Sequence, residues 1–215
     1  MNRKASKLVV ATTAIALSTA LLVGGTYALL SDEAKITNHL VSGALNMTLE
    51  RTSLTSYFVN DDGVYPSQPV VNTGKVDFSA KTSENVFGLT SGTLFTPLCW
   101  CEAEMTLTNN SDVAFSYYVE IVVDTANTDM VLAQQMEVSI VADSGVSQSG
   151  TLGSGLTLGS KGQPIDTLTI NAATGNTASF TLKVSFPDKG DANNDAQGKQ
   201  VSFDLVVYAF QATKL

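Results

Sequence analysis

The stretch that decides the fold is VSFDLVVYAFQA, residues 201–212. Apolar side chains occupy both odd and even positions of this run, so a strand formed by it is apolar on both faces. Such a strand has to be covered on both faces, which places it in the middle of a sheet and not on a wet edge. The stretch therefore predicts a central strand of a sheet-based core.

Further strands are predicted where apolar and polar residues alternate with a period of two. The alternating segments lie at 45–49, 103–107, 115–123, 136–140, 168–170 and 180–186. The two segments that flank the turn at 109–112 predict a hairpin. A short helical segment is predicted at 129–135, and the Gly/Ser-rich stretch 144–163 predicts a flexible loop or a marginal strand that adds little to the core. About eight strands without helical connections favour an all-β, two-sheet antiparallel sandwich with at most short helical turns.

Length and charge limit the classes of function. A chain of 215 residues is long enough for one domain that buries about 70% of its unfolded surface. Its net charge is -8, whereas binding to phosphates requires a basic face that neutralises them. A nucleic-acid partner is therefore not expected.

Residues 1–28 have the pattern of a secretory signal peptide. A basic start precedes an uncharged apolar run at 8–23, and small residues follow. Cleavage is predicted between Ala28 and Leu29, because Thr26 and Ala28 are small enough for the pockets of a signal peptidase. The alternative is a retained membrane anchor. The sequence thus predicts a protein exported to the cell surface or the extracellular matrix, with signal peptidase as a partner during export.

The junction that follows the leader resembles a known family. GGTYALLSD at 24–32 is followed by a spaced pattern N-x4-G-x-L-x3-L that starts at Asn38, and both are similar to the N-terminus of the TasA and camelysin proteins. The Gln-Ala-Thr ending at 211–213 and the segment 96–117 are similar as well. The segment departs from the family at Leu98, where the family usually has Gly, and at 111–112, where it favours a Gly-containing turn.

The resemblance implies a fold and a function. TasA and camelysin proteins are matrix proteins of biofilms, and their sandwich is a jelly roll. The signal of such proteins is cut just after the GT-aromatic-A element, here at Ala28. Leaders of this kind resemble those of Gram-positive bacteria. The chain is accordingly divided into a signal peptide at 1–28, an N-terminal extended donor segment at 29–42 and a sandwich domain at 43–215.

Removal of the leader leaves an extended tail that could add to the sheet edge of a neighbouring subunit. Ordering about 11 residues costs on the order of 10 to 20 kcal/mol, whereas each backbone hydrogen bond returns about 1 kcal/mol, so apolar anchors are needed. The candidate contact residues are Leu29, Leu30, Ile36, Asn38, Leu40 and Val41. Leu30, Ile36 and Leu40 share one face of an extended chain and are the best candidates for a row that faces a groove.

Two functions follow from this tail. The first is a fibre subunit that polymerises with itself head to tail, with other matrix or cell-surface components as further candidate partners. The second is a monomeric or accessory surface module whose N-terminal strand completes its own sheet. A strand that completes its own sheet needs the same alternation of apolar and polar residues as one that completes a neighbour's sheet, so the sequence does not distinguish the two functions.

Reactive groups are few. Cys99 and Cys101 could form a disulfide, remain reduced, or link two chains; on a regular strand their spacing is at the upper limit for a bridge. His39 is the only histidine, and His-Glu-x-x-His is absent, so neither a zinc peptidase nor a cofactor is expected. The loop at 188–198 has alternating oxygen ligands but lacks the Gly and Glu of an EF-hand, which favours a solvated loop over a calcium site.

Overall fold

A computed structural model describes residues 28–38, 45–59, 64–78, 85–89, 94–170 and 174–212, with the backbone alone at 28–38 and at Leu94. The predicted signal segment up to Tyr27 lies outside these residues, as do His39, Leu40 and Val41. The described residues form two sheets around one apolar core.

Six strands form the first sheet. They are β1 (Ala28–Asn38), β5 (Leu94–Phe95), β7 (Phe115–Val123), β10 (Leu156–Leu158), β11 (Asp166–Leu168) and β13 (Lys199–Gln211). Their order is β10-β7-β13-β1-β5, and β11 also pairs with β7. The stretch 201–212 is predicted to form a central strand, and β13 does lie between β7 and β1. That prediction is confirmed.

Seven strands form the second sheet. They are β2 (Met47–Tyr57), β3 (Val70–Asn72), β4 (Val76–Asp77), β6 (Trp100–Asn109), β8 (Glu137–Ala142), β9 (Ser147–Thr151) and β12 (Thr177–Ser185). Their order is β3-β2-β6-β12-β8-β9, with β4 beside β2. The short α1 (Met130–Gln135) begins at Asp129, whose side chain accepts the Val131 N–H at 2.9 Å. The predicted all-β sandwich with short helical turns is confirmed.

The core lies between the sheets and is filled by alternate residues of each strand. On β6 the residues Cys101, Ala103, Met105 and Leu107 are fully buried, while the residues between them are partly or fully exposed. The same alternation on β12 buries Phe180, Leu182 and Val184. The burial of every second residue is thus the pattern of a sheet that has one face on the core.

The predicted hairpin around residues 109–112 is wrong. β6 pairs with β2 and β12, whereas β7 pairs with β13, β10 and β11, so the two strands lie in different sheets. The segment 110–114 is an arch that crosses from one sheet to the other. The physical reason is the buried Asn109 at the end of β6, whose side-chain amide is surrounded by backbone carbonyls only when the chain crosses between the sheets.

The Gly/Ser-rich stretch 144–163 contributes more to the core than its composition predicts. Leu152, Leu156 and Leu158 are 0%, 8% and 2% exposed. Tight turns bring these isolated leucines inward. Gly155 has φ 64, and a Cβ there would lie 2.9 Å from the Ile121 carbonyl oxygen, so only glycine allows this approach.

Candidate functional site

Strand β1 fills the space between β13 and β5. Its eleven residues pair in parallel with residues 199–209 of β13, from Ala28 opposite Lys199 to Asn38 opposite Ala209. At its start, Ala28 and Leu29 also pair in antiparallel fashion with Phe95 and Leu94. The backbone of the predicted cleavage site is therefore paired on both edges.

The β1–β13 pair is parallel, which differs from the antiparallel pairing expected throughout. Within the described strands, the other pairs are antiparallel. A parallel neighbour cannot be reached by a tight hairpin. Strand β1 instead continues through residues 39–46 into β2 of the other sheet.

The register aligns three predicted contact residues with buried positions of β13. Leu30, Ile36 and Asn38 stand opposite Val201, Val207 and Ala209, which are at most 1% exposed. Leu29 stands opposite Gln200, in the alternate row. The structure thus brings 30, 36 and 38 to one row along β13, whereas Leu40 and Val41 lie outside the described residues. Whether these residues contact a neighbouring subunit stays a prediction.

The start of β13 is also fixed from the side opposite β1. The Asp129 N–H donates to the Gln200 carbonyl at 2.8 Å, and Thr128 Oγ1 donates to the Ser202 carbonyl at 2.8 Å. Lys199 Nζ lies 2.9 Å from Asp129 Oδ2, and this charged hydrogen bond lowers the pKa of the Asp129 carboxyl. These contacts involve no residue of β1, so they hold this part of β13 in place independently of it.

The turn after β5 carries the departure from the family pattern. The Cys99 N–H donates to the Thr96 carbonyl at 3.0 Å, which closes a four-residue turn with Pro97 and Leu98 at its centre. Leu98 has φ 73, and its N–H donates to the Phe186 carbonyl at 2.7 Å. This is the geometry of a type II turn, which requires positive φ at its third residue and favours Gly there. The turn holds Leu98 in the left-handed region despite its side chain.

Replacement of Leu98 by Gly is expected to raise the free energy of unfolding by about 0.5 to 1 kcal/mol. A non-Gly residue in the left-handed region costs about 1 to 2 kcal/mol, and glycine removes this cost. Glycine also has more conformational freedom in the unfolded chain, which offsets part of the gain in stability. The Leu98 side chain is 55% exposed, so its loss removes little burial. Urea unfolding followed by circular dichroism measures the change. Leu98→Ala is the control, since it keeps the backbone cost; equal gains from both variants would contradict the explanation.

The two cysteines lie on the inner face and are not joined to each other. Both are 0% exposed, and Cys99 Sγ lies 3.1 Å from Thr96 Oγ1. A bond from either sulfur to another chain requires the sheet to open first. A disulfide between Cys99 and Cys101, the reduced pair and a link between chains all stay predictions.

The loop at 188–198 is held by its own side chains. Its middle forms a 3-10 helix, Gly190–Ala196, in which Asn193 is 2% exposed. The Asn193 amide oxygen accepts the Lys189 N–H at 2.6 Å, and its Nδ2 donates to Gln135 Oε1 at 3.0 Å. Asn193 thus points inward and ties the loop to α1, so it is not placed as a calcium ligand.

Sequence reasoning missed the β5 partner of the cleavage site. Strand β5 has only the two residues Leu94–Phe95, too few for a period-two signal. The one local signal nearby is Pro97 followed by Leu98, which marks a turn but not the strand before it.

The family comparison agrees with the resemblance seen in the sequence. Residues 2–83 match the model of the family described as camelysin metallo-endopeptidase, which confirms the camelysin resemblance over the N-terminal part of the chain. No curated protein matches the chain.

The metal implied by that family description does not fit the residues present. The chain has one histidine, His39. Within the described ranges, no three His, Cys, Asp or Glu side chains are grouped closely enough to hold a metal ion. Zinc peptidases need three protein ligands and a general base beside them, and one histidine does not supply the pair of imidazoles that such a site uses.

The described part of the chain includes no helix that is long and apolar enough to cross a membrane.

Proposed function

We propose that this chain is a secreted structural protein of an extracellular matrix, and that it forms fibres by passing β1 to the next subunit. The observation that carries the proposal is the placement of β1. It pairs with β13 and β5 of the first sheet, while the chain continues from it into the second sheet. Such a strand can be exchanged between copies of the chain without breaking any other strand pair.

Withdrawal of β1 leaves an edge that has to be covered. β13 then presents an edge of eleven residues that no strand covers, and β5 loses its pairing with Ala28 and Leu29. An open edge of this length favours pairing with another chain. The β1 of a second copy fills it with the same contacts, so the swapped and unswapped forms differ mainly at the connection.

The connection is long enough for exchange. Residues 39–46 separate β1 from β2, and eight extended residues span at most about 29 Å. Each subunit then donates one strand and receives one. Because the donor and acceptor surfaces differ, the contact is heterologous and gives a filament when the rotation does not close a ring.

We assign the chain no catalytic role. The His, Cys, Asp and Glu residues that could bind a metal do not suit the metallopeptidase chemistry in the family description. Export through the predicted leader at 1–28 and the match at 2–83 support an extracellular location. The partners in this proposal are other copies of the chain, the signal peptidase during export, and further matrix or cell-surface components.

Cysteine trapping between subunits tests the exchange. Ser31 stands opposite Ser202 in the β1–β13 register, and Ser202 is partly exposed, so a pair of cysteines at these positions can be oxidised to a disulfide. The changes Ser31→Cys and Ser202→Cys are nearly isosteric. Chains that carry one change each are mixed, allowed to assemble and oxidised. Strand exchange predicts a disulfide-linked dimer of the two variants on a non-reducing gel.

The alternative function gives a different result. If β1 stays in its own sheet, the bond forms only within a chain that carries both changes, and the mixture stays monomeric. A mixture of Ser31→Cys with Ser53→Cys, which lies in the second sheet, is the control for random oxidation.

The position of the cleavage site predicts an order of events. The backbone at Ala28 and Leu29 is paired with both β13 and β5, whereas peptidases bind substrates as extended strands with an accessible edge. The cut is therefore expected to precede docking of β1. The uncut chain is offered to signal peptidase either after folding or by direct dilution from denaturant. The folded sample should be cleaved at least about tenfold more slowly than the freshly diluted one.

A short peptide covering residues 22–34 is the control, since it cannot form the sheet. It should be cleaved at the same rate under both conditions. Equal cleavage of the folded and the freshly diluted chain would show that the paired site remains accessible.

A further inference from the structure

The outer face of the second sheet has a groove. Its volume is about 610 Å3, within the range of small-ligand sites in proteins. The groove lies over β8, β9 and β12. Val138 and Gly150 line it together with six residues that have polar side chains, which are Glu137, Ser139, Ser149, Thr151, Lys183 and Ser185.

The register places these side chains in two rows across the strands. In the first row, Trp100, Ser185, Glu137 and Thr151 are successive partners on β6, β12, β8 and β9. In the second row, Glu102, Lys183, Ser139 and Ser149 are successive partners on the same strands. Directly paired residues share a face, and the residues between these rows are core residues such as Val138 and Val184. Apart from Trp100 at the end of the first row, the two rows therefore form one continuous polar surface.

An aromatic stack limits the groove on the β6 side. Tyr57 and Trp100 are stacked with ring centroids 6.3 Å apart, and Tyr57 stacks on Tyr65 at 5.6 Å. Lys183 Nζ lies 4.4 Å from the centre of the Trp100 ring and 3.6 Å from Glu102 Oε2. The ring and the carboxylate thus hold the ammonium group at this end of the groove.

The chemistry of the lining selects the class of ligand. Four hydroxyl side chains can each donate and accept hydrogen bonds, Glu137 accepts, and Lys183 donates. Val138 is the one apolar side chain of the lining and is only 2% exposed, so it offers an apolar ligand little surface. A metal ion finds too few ligands, since the lining holds one carboxylate. A nucleic acid is disfavoured by the net charge of -8.

We propose that this groove binds a carbohydrate chain. Sugar hydroxyls are donors and acceptors at closely spaced positions, which matches alternating hydroxyl, carboxylate and ammonium groups along two rows. With strands about 4.8 Å apart, the three strands from β12 to β9 present these groups over roughly 10 Å, so the groove takes a short segment of a linear chain.

The groove is independent of strand exchange. It lies on β8, β9 and β12 of the second sheet, whereas β1 pairs in the first sheet. A fibre subunit and a monomeric surface module would both keep it. The inference therefore goes beyond the proposed function, and its failure would leave the fibre proposal intact.

The chain contains a built-in reporter for the test. Trp100 is its only tryptophan, and Lys183 of the groove covers one side of the ring. The purified chain is titrated with linear hexasaccharides of glucose, of N-acetylglucosamine and of mannose while tryptophan emission is recorded. At least one hexasaccharide should give a saturable change, because ligand contact repositions Lys183. Glycerol at the same hydroxyl concentration should give none.

Two variants locate the binding. Glu137→Ala removes the carboxylate of the groove and should weaken binding about tenfold or more, as the loss of a charged hydrogen bond does. Glu104→Ala is the matched control, an exposed glutamate on the same face but outside the lining, and it should bind like the unchanged chain. Amide shifts in the 15N-labelled chain should change at 137–139, 149–151 and 183–185. The proposal is overturned if no hexasaccharide gives a saturable change, or if Glu137→Ala binds as well as Glu104→Ala.

Discussion

A chain that begins at Val41 is expected to fold and to form no fibres. It lacks β1, so β13 retains its pairing with β7 but has no strand on its other side. The core of the two sheets is contributed by the remaining strands, which keeps the subunit folded. Negative-stain images and size-exclusion chromatography should show monomers where the chain that begins at Leu29 gives filaments.

The missing strand can be returned as a peptide. ALLSDEAKITN, residues 28–38, should bind the shortened chain at its β13 edge and raise its melting temperature, since a ligand that binds only the folded state stabilises it. The scrambled peptide of the same composition is the control. Fibres of normal length from the shortened chain, without peptide, would refute strand exchange.

A single charge at the right register position should have the same effect as the deletion. Ile36 stands opposite Val207, which is 0% exposed, and an unpaired buried charge costs several kcal/mol. Ile36→Asp is therefore expected to abolish fibres. Thr37→Asp adds the same charge one residue further on, opposite the partly exposed Tyr208, and should assemble normally. Loss of fibres in both variants would indicate a general effect of charge in the strand.

The sequence predicts the place of β13 because burial on both faces is a local property. Apolar residues at successive positions, such as Val206 and Val207, can be read without knowing the partner strands. The partner itself is not readable in this way. Pairing between residues 28–38 and 199–209 is a contact between distant parts of the chain, and its parallel direction follows from how the chain enters the second sheet.

The arch after β6 shows why the predicted hairpin is wrong. Alternation on both sides of a polar turn is the same for a hairpin and for an arch between sheets, because each strand buries one face in either case. What separates them is where the polar side chains of the turn point. Asn109 is 0% exposed, and a buried amide at the end of a strand has to find several partners. That requirement favours an arch, which surrounds the amide with protein.

Asn109→Ala is accordingly expected to be among the most destabilising single changes in this domain. Asn109 Nδ2 donates to the carbonyl oxygens of Val113, Leu168 and Thr169 at 2.9, 3.3 and 2.6 Å, and its Oδ1 accepts the Ser111 N–H at 2.9 Å. Alanine removes the side-chain partner of two buried groups, the Leu168 carbonyl and the Ser111 N–H, at about 1 to 3 kcal/mol for each group left unsatisfied. The expected loss in the free energy of unfolding is about 3 to 5 kcal/mol.

Asn110→Ala is the matched control for that change. Asn110 is the next residue, is exposed, and bonds through its side chain to Thr48 at the surface, so its loss should cost below about 1 kcal/mol. Thermal unfolding followed by circular dichroism should place the Asn109→Ala midpoint about 10 °C below that of the control, at the 2 to 4 °C per kcal/mol typical of domains this size. Similar midpoints for the two variants would mean that the arch is held by its apolar strands and not by the buried amide, and the crossing between the two sheets would then need another explanation.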